Sequence, residues 1–300
     1  MRGTYMKERK GHMENILELH NLTKSYPKSD FTLDQISFSL PYGSILGFVG
    51  ENGAGKTTTI NCILNTAAKD GGTVKLFGEE MGDGDTDIRE KIGVVYDGDN
   101  FPGFWTAKQL SKVMARLYQN WDEPLFRDYL EKFQLPSKQK IMHYSRGMTM
   151  KLAIAAALSH HPELLILDEA TSGLDPVMRD DMLDVFLEFV QEENHAILLS
   201  SHITSDLEKV ADYITFIHNG RLILTAAKDE LIYQYAVLRC KESQFQALDK
   251  EDILAYRKRD MQIDVLVADG KAAQKKYKDV VADHTSVDEI MLLLVKGERV

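Results

Sequence analysis

The chain has 300 residues, beyond the length at which a single core usually stops growing, so one large domain with an appendage is the expected organisation. Hydrophobic residues at 44% and charged residues at 27% fit an ordinary globular protein. The net charge of −10, from 36 Lys+Arg against 46 Asp+Glu, argues against the basic surface that non-specific nucleic-acid binding requires, so no nucleic-acid partner is expected.

Met1–His12 carry charge and no apolar stretch, unlike a secretory leader. They read as a tag remnant or an upstream start, with Met13 as the expected true beginning. Ile16–Leu22 and Leu33–Leu40 alternate apolar and polar residues as half-buried strands do. Ser44–Val49 is a short apolar run, followed by a Gly-rich loop and a helix over Thr57–Leu64. Thr73–Phe77 and Ile92–Tyr96 read as further strands, and Asp83–Asp87 between them as a solvated loop.

From Thr106 to His160 the periodicity becomes helical, interrupted at Pro124 and Pro136. Strands return at Leu164–Leu167, Ala196–Ser200 and Tyr213–His218, separated by helices over Pro176–Glu193 and Thr204–Val210. Such alternation predicts a mainly parallel sheet covered on both faces, with the helical stretch as a subdomain on one side. Beyond Arg221, Leu231–Tyr235, Ile263–Val267 and Val287–Val295 are the segments able to build a small α+β appendage. No apolar run approaches the about 18 residues of a membrane span, so any membrane role is peripheral. Two cysteines, Cys62 and Cys240, lie far apart without metal-ligand spacing, which fits buried thiols in a reducing cytosolic compartment. His160 and His161 are expected on a helix, where neighbouring side chains diverge and do not share a metal.

The chemistry concentrates at two places. Gly50-Glu51-Asn52-Gly53-Ala54-Gly55-Lys56-Thr57 matches G-x-x-x-x-G-K-[ST] between an expected strand and an expected helix. Its glycines let backbone N–H groups converge on phosphate oxygens, helped by the partial positive charge of the helix start; Thr58 continues that start. Lys56 would contact the β- and γ-phosphates and the Thr57 hydroxyl would ligate Mg²⁺. This predicts binding of a nucleoside triphosphate. The second place is Leu164–Glu169, an apolar strand ending in two carboxylates. Strand ends in a parallel sheet face the ligand crevice, so both acids should arrive at the phosphates. Successive side chains on a strand point apart, which assigns Asp168 to the Mg²⁺ shell and Glu169 to polarising the attacking water.

With these motifs in place the stretch from Ile16 to Arg221 resembles the ABC ATPase family. Tyr144-Ser145-Arg146-Gly147-Met148 stands where that family keeps its signature, Ser172-Gly173-Leu174-Asp175 where it keeps its D-loop, and His202 where it keeps its switch histidine. Tyr26 precedes the phosphate loop where the family stacks an aromatic on adenine; packing under the first hairpin is the alternative. The resemblance implies a P-loop NTPase core of mainly parallel sheet (α/β), with an antiparallel β subdomain, a helical subdomain over about 104–160, an ATPase domain over 13–225 and an appendage over 226–300. It also implies ATP and Mg²⁺ as ligands and head-to-tail closure of two ATPase subunits, homo- or heteromeric. Ser145 and the backbone of Gly147 would then clamp the partner's γ-phosphate. Asp175 would cross the interface, and His202 would contact the γ-phosphate near Glu169.

Two departures from the family pattern stand out. Tyr-Ser-Arg-Gly-Met replaces the usual Leu-Ser-Gly-Gly-Gln, so Arg146 adds a cation beside the triphosphate; this variant resembles a bacterial drug-, bacteriocin- and peptide-exporter branch. Asp97 stands where the family's Q-loop places Gln or Glu, a shorter acid that still reaches Mg²⁺ through water. Phe101, Phe104 and Trp105 follow, either packed on the helical subdomain or forming a patch that receives a helix of the membrane partner. The resulting expectation is an ATP-hydrolysing exporter subunit, held at the inner face of the cell membrane by a separate permease. An ABC-type ATPase acting on DNA or the ribosome, or a regulatory nucleotide-binding module, is the alternative. Paired ATPase domains, a coiled-coil insertion and zinc-binding cysteines are absent from the sequence, and Lys56, Asp168, Glu169 and His202 are intact.

Overall fold

The computed structural model describes residues 15–27, 30–82, 84–98 and 100–299. The expected N-terminal remnant, Met13 and Asp83 lie outside the described residues. Three sheets organise the chain. The first is antiparallel, in the order β2-β1-β4-β5, from β1 (Asn15–Ser25), β2 (Thr32–Pro41), β4 (Gly71–Leu76) and β5 (Glu79–Glu80). The second runs β10-β9-β3-β8-β7-β6, from β3 (Ile45–Val49), β6 (Ile92–Val95), β7 (Leu164–Asp168), β8 (Ala196–Ser201), β9 (Tyr213–His218) and β10 (Arg221–Ala227). Its strands pair in parallel except β10, which returns antiparallel to β9.

Every residue of β3, β7 and β8 is buried, as strands covered on both faces must be. Their side chains alternate between two cores. Leu46, Phe48, Leu164 and Ile166 face the antiparallel sheet and α1 (Lys56–Ile63). Ile45, Val49, Leu165 and Leu167 face the helical side. After the short α2 (Thr86–Glu90), that side is built by α3 (Ala107–Leu117), α4 (Glu123–Lys132), α5 (Arg146–Leu158), α6 (Pro176–Phe189) and α7 (Thr204–Val210). Thr106 starts α3 with a capping box to Gln109. Asp122 caps α4, with Pro124 in its first turn.

Two expectations are corrected here. Thr86–Glu90 is a helical turn rather than a solvated loop, although Asp85 and Asp87 flank and enter it as acids suited to a helix start. His160 and His161 follow the end of α5 instead of lying on it. His160 is buried, stacks on Tyr118 at 4.0 Å and bonds the Ile92 carbonyl through Nε2, whereas His161 meets Asp122.

After α8 (Lys228–Tyr233) comes a third, antiparallel sheet. It comprises β11 (Ala236–Cys240), β12 (Ala255–Arg259), β13 (Gln262–Val267) and β14 (Val281–His284), in the order β12-β13-β11-β14. Helices α9 (Glu242–Phe245), α10 (Gly270–Lys276) and α11 (Val287–Lys296) accompany it. One face packs Leu238, Ile263, Val265 and Cys240 into a core of its own. The other contributes Val237 and Leu266, with Val287, Ile290 and Leu293 of α11, to the core that contains Leu207 of α7. Arg239 closes this sheet's polar side on Asp264, Asp283 and Glu289 at 2.9, 3.1 and 2.7 Å. No described helix is long and apolar enough to cross a membrane.

Candidate functional site

The Gly-rich loop leaves β3 and enters α1 as its sequence requires. Gly53 and Gly55 have φ of 82° and 117°, values that favour glycine, and a Cβ on Gly55 would lie 2.6 Å from Leu33. Gly50 approaches the Ile217 carbonyl so closely that a Cβ would stand 2.5 Å from it, and Ala54 fills the space behind. Lys56 folds back with Nζ donating to the Gly50 carbonyl at 2.7 Å and reaching the Glu51 carbonyl at 3.3 Å.

The two adjacent acids at the end of β7 do separate work. Asp168 is buried; Oδ2 accepts from the Thr57 hydroxyl at 2.7 Å, and Oδ1 from the Ser200 hydroxyl at 2.8 Å. Glu169 has left the strand with φ of 54°, a left-handed conformation that costs a non-glycine residue about 1–2 kcal/mol. Its Oε2 lies 2.6 Å from His202 Nδ1 and its Oε1 lies 3.1 Å from Lys56 Nζ. The Lys56 approach misses hydrogen-bond geometry, so Oε1 is a buried acceptor without a hydrogen bond among the described residues. An anion entering between Lys56 and Glu169 would gain the cation and displace this loose ion pair. Pairing of Asp168 with Ser200 in the parallel ladder sets Glu169 and His202 on neighbouring strand ends. Burial first, and the Asp168 carboxylate second, raise the Tyr96 phenol, which stays neutral behind the site.

A cleft of about 620 Å³ collects Tyr26, Asn52, Gly53, Gly55, Lys56, Thr57, Thr58, Asp97, Asp168 and Glu169. It also contains Phe31, which the sequence reading did not single out. An aromatic just before β2, on the hairpin that carries Tyr26, was the available signal. Ser200 was missed as well; its signal was its place at the polar C-terminal end of an otherwise apolar strand. Tyr26 is 38% exposed, with Lys24 Nζ 5.1 Å from its ring centre, so the ring does not pack into the hairpin core.

Ser145, Gly147 and Asp175 do not line this cleft. Ser145 caps α5, its hydroxyl accepting from Met148 N at 3.2 Å. Gly147 is buried against Met178. Asp175 caps α6 in the same way, accepting from Met178 N at 3.0 Å ahead of Pro176. Asp97 lines the cleft, and its Oδ1 accepts from Arg146 Nη2 at 2.8 Å. A second groove, of about 660 Å³, lies on the other side of Asp97, between Phe101, Gly103, Met142, Tyr144 and Arg146. Phe101 lines this groove and, like Trp105, packs partly on the core, whereas Phe104 is 65% exposed.

Comparison with known proteins follows the same segments. A family model described as "ABC transporter" matches residues 33–172. The chain is 35% identical over 221 residues to the bacitracin transport ATP-binding protein BcrA of Bacillus licheniformis, covering 73% of this chain and 72% of that one. It is 33% identical over 216 residues to the lantibiotic transport ATP-binding protein SrtF of Streptococcus pyogenes, covering 71% of this chain and 92% of the other. A solved ATP-binding subunit of an ABC transporter superposes with a TM-score of 0.66 at 27% identity, over 72% of this chain and 91% of that chain.

Proposed function

The chain belongs to the ABC transporter ATP-binding proteins, and from that premise we propose how its residues divide the work of an ATP-hydrolysing exporter subunit. The observation that carries the reading is that Lys56 and His202 both contact Glu169 while Thr57 bonds Asp168, with Lys56, Thr57, Asp168 and Glu169 lining one cleft. Tyr26 stacks on adenine. Backbone N–H groups of Glu51, Asn52, Gly53, Ala54 and Gly55, with Thr58 at the helix start, surround the phosphates. Lys56 exchanges Glu169 for the β- and γ-phosphates. Glu169 then orients and polarises water, while His202 holds its carboxylate and reaches the γ-phosphate.

The Thr57 hydroxyl and Asp168 carboxylate, joined at 2.7 Å, form a hard-oxygen pair that fits Mg²⁺, with Asp97 as an outer participant through water. Bound there, Mg²⁺ would neutralise phosphate charge. Ser200 fixes the orientation of Asp168.

Ser145 and Gly147 stand at the start of a 13-residue helix, outside the chain's own cleft. They complete the site of a facing ATPase subunit, identical or different, and Asp175 links the two sites. The similarity to proteins named for bacitracin and lantibiotic transport supports export of a peptide-like or drug-like molecule. The subunit works at the inner membrane face, where the groove lined by Phe101 and Met142, together with the exposed ring of Phe104, receives a cytoplasmic helix of the permease.

Purifying the chain from native membranes in mild detergent tests this reading. A stoichiometric polytopic membrane protein should accompany it and should stimulate its ATPase activity. Recovery with ribosomes or DNA, and with no membrane subunit, would overturn it.

A further inference from the structure

The two places where this sequence leaves the family pattern touch each other. Asp97 and Arg146, 49 positions apart in sequence, form an ion pair at 2.8 Å. The guanidinium also lies against Gly173 in the loop between β7 and α6: a Cβ there would stand 2.8 Å from Cζ and Nη1 and 3.0 Å from Nε. Arg146 thus bridges, within one chain, the loop after β6 and the loop ahead of Asp175.

Electrostatics explain why it needs an anion. Arg146 is the first residue of α5, whose first turn contains no acidic side chain. A cation there faces the positive end of the helix dipole and is disfavoured until a negative charge offsets it. Within the chain, Asp97 supplies that charge. In the head-to-tail dimer, on which this inference rests, the same helix start faces a triphosphate carrying several negative charges.

We propose that Asp97 is a built-in stand-in for the facing subunit's γ-phosphate: it holds Arg146 until ATP arrives, and transfer of Arg146 to the triphosphate frees the Asp97 loop. The side chains are 54% and 47% exposed, and exposed pairs are weak, which suits an exchangeable latch rather than a permanent brace. Asp97 borders both the nucleotide cleft and the groove beside Phe101, so its release changes both at once. Asn100 keeps the loop folded meanwhile, accepting from Tyr96 N at 2.9 Å and donating to the Tyr96 carbonyl at 2.8 Å. In this scheme Asp97 positions Arg146, and Arg146 touches the triphosphate only after the exchange.

The test is a double-mutant cycle in a full-length Glu169→Gln background, reading the ATP concentration for half-maximal dimerisation by sedimentation. The variants are D97N, R146Q and the pair. Any metal contact of Asp97 is lost equally in both D97N arms and cancels in the comparison. Relative to its effect with R146Q present, D97N alone should lower the ATP requirement about two- to fivefold. A pair that only braces the fold would shift the unfolding temperature cooperatively and leave the ATP requirement additive. Additivity, or coupling of the opposite sign, would overturn the latch while leaving the composite site intact. Failure of the Glu169→Gln parent to dimerise with ATP would overturn the composite site and the latch together.

Discussion

The nucleotide cleft and the helix start at Ser145 are the two places proposed to meet the triphosphate, and they differ in how complete they are. Lys56 and Asp168 are 6% and 4% exposed and already hold their neighbours in place. Ser145, Arg146 and Asp175 are exposed, and Ser145 and Asp175 spend their oxygens capping their own helices. Folding of a single chain thus fixes the buried contacts of Lys56 and Asp168 and leaves Ser145, Arg146 and Asp175 at the surface. The buried half is complete within one chain; in the proposed dimer the exposed half meets a second surface.

That contrast breaks hardest at Glu169. Glu169→Gln removes the proposed base while sparing the phosphate loop and the Thr57–Asp168 pair, so hydrolysis should fall by about 10²–10⁴-fold with ATP binding retained. ATP-bound dimers should then accumulate, since opening follows turnover. Near-normal kcat would remove Glu169 from its assigned role.

At the exposed half, capping and phosphate contact can be separated at one residue. Aspartate caps helices as well as serine, so Ser145→Asp should keep the unfolding temperature while like-charge repulsion lowers ATPase activity by about tenfold or more. Ser145→Ala should instead lose the cap, about 1 kcal/mol, and about 2–4 °C of unfolding temperature. An active Ser145→Asp protein would confine Ser145 to a structural role.

A smaller effect is expected at the rim of the cleft. Tyr26→Ala should raise KM for ATP about fivefold or more, with kcat less changed, because stacking binds ground and transition states alike. Unchanged KM would transfer adenine to Phe31, the other aromatic in the cleft.

Sequence reading succeeded where burial or backbone geometry leaves few alternatives. The runs that became β3, β7 and β8 are apolar throughout because both faces are covered, and the Gly53 and Gly55 conformations exclude most other residues. It failed where local pattern is silent. β12 reads Ala-Tyr-Arg-Lys-Arg and β14 has four residues, so neither shows a strand period, and both depend on pairing within the third sheet. Leu231–Tyr235 overlaps a helix, α8, whose apolar residues are too few to declare it. The Asp97–Arg146 contact was illegible for a different reason: each residue was visible as a departure, but nothing local joins positions 49 apart.

In the proposed dimer the exposed half of each chain completes the buried half of the other. Mixing two inactive variants, Ser145→Arg and Lys56→Ala, tests it most directly. In their heterodimer one composite site carries both lesions and the other carries neither. ATPase activity should recover on mixing, rising with protein concentration, to at most about half the wild-type rate at full heterodimer. No recovery, together with wild-type turnover that stays first order in protein down to high dilution, would contradict it and make a single chain the catalytic unit.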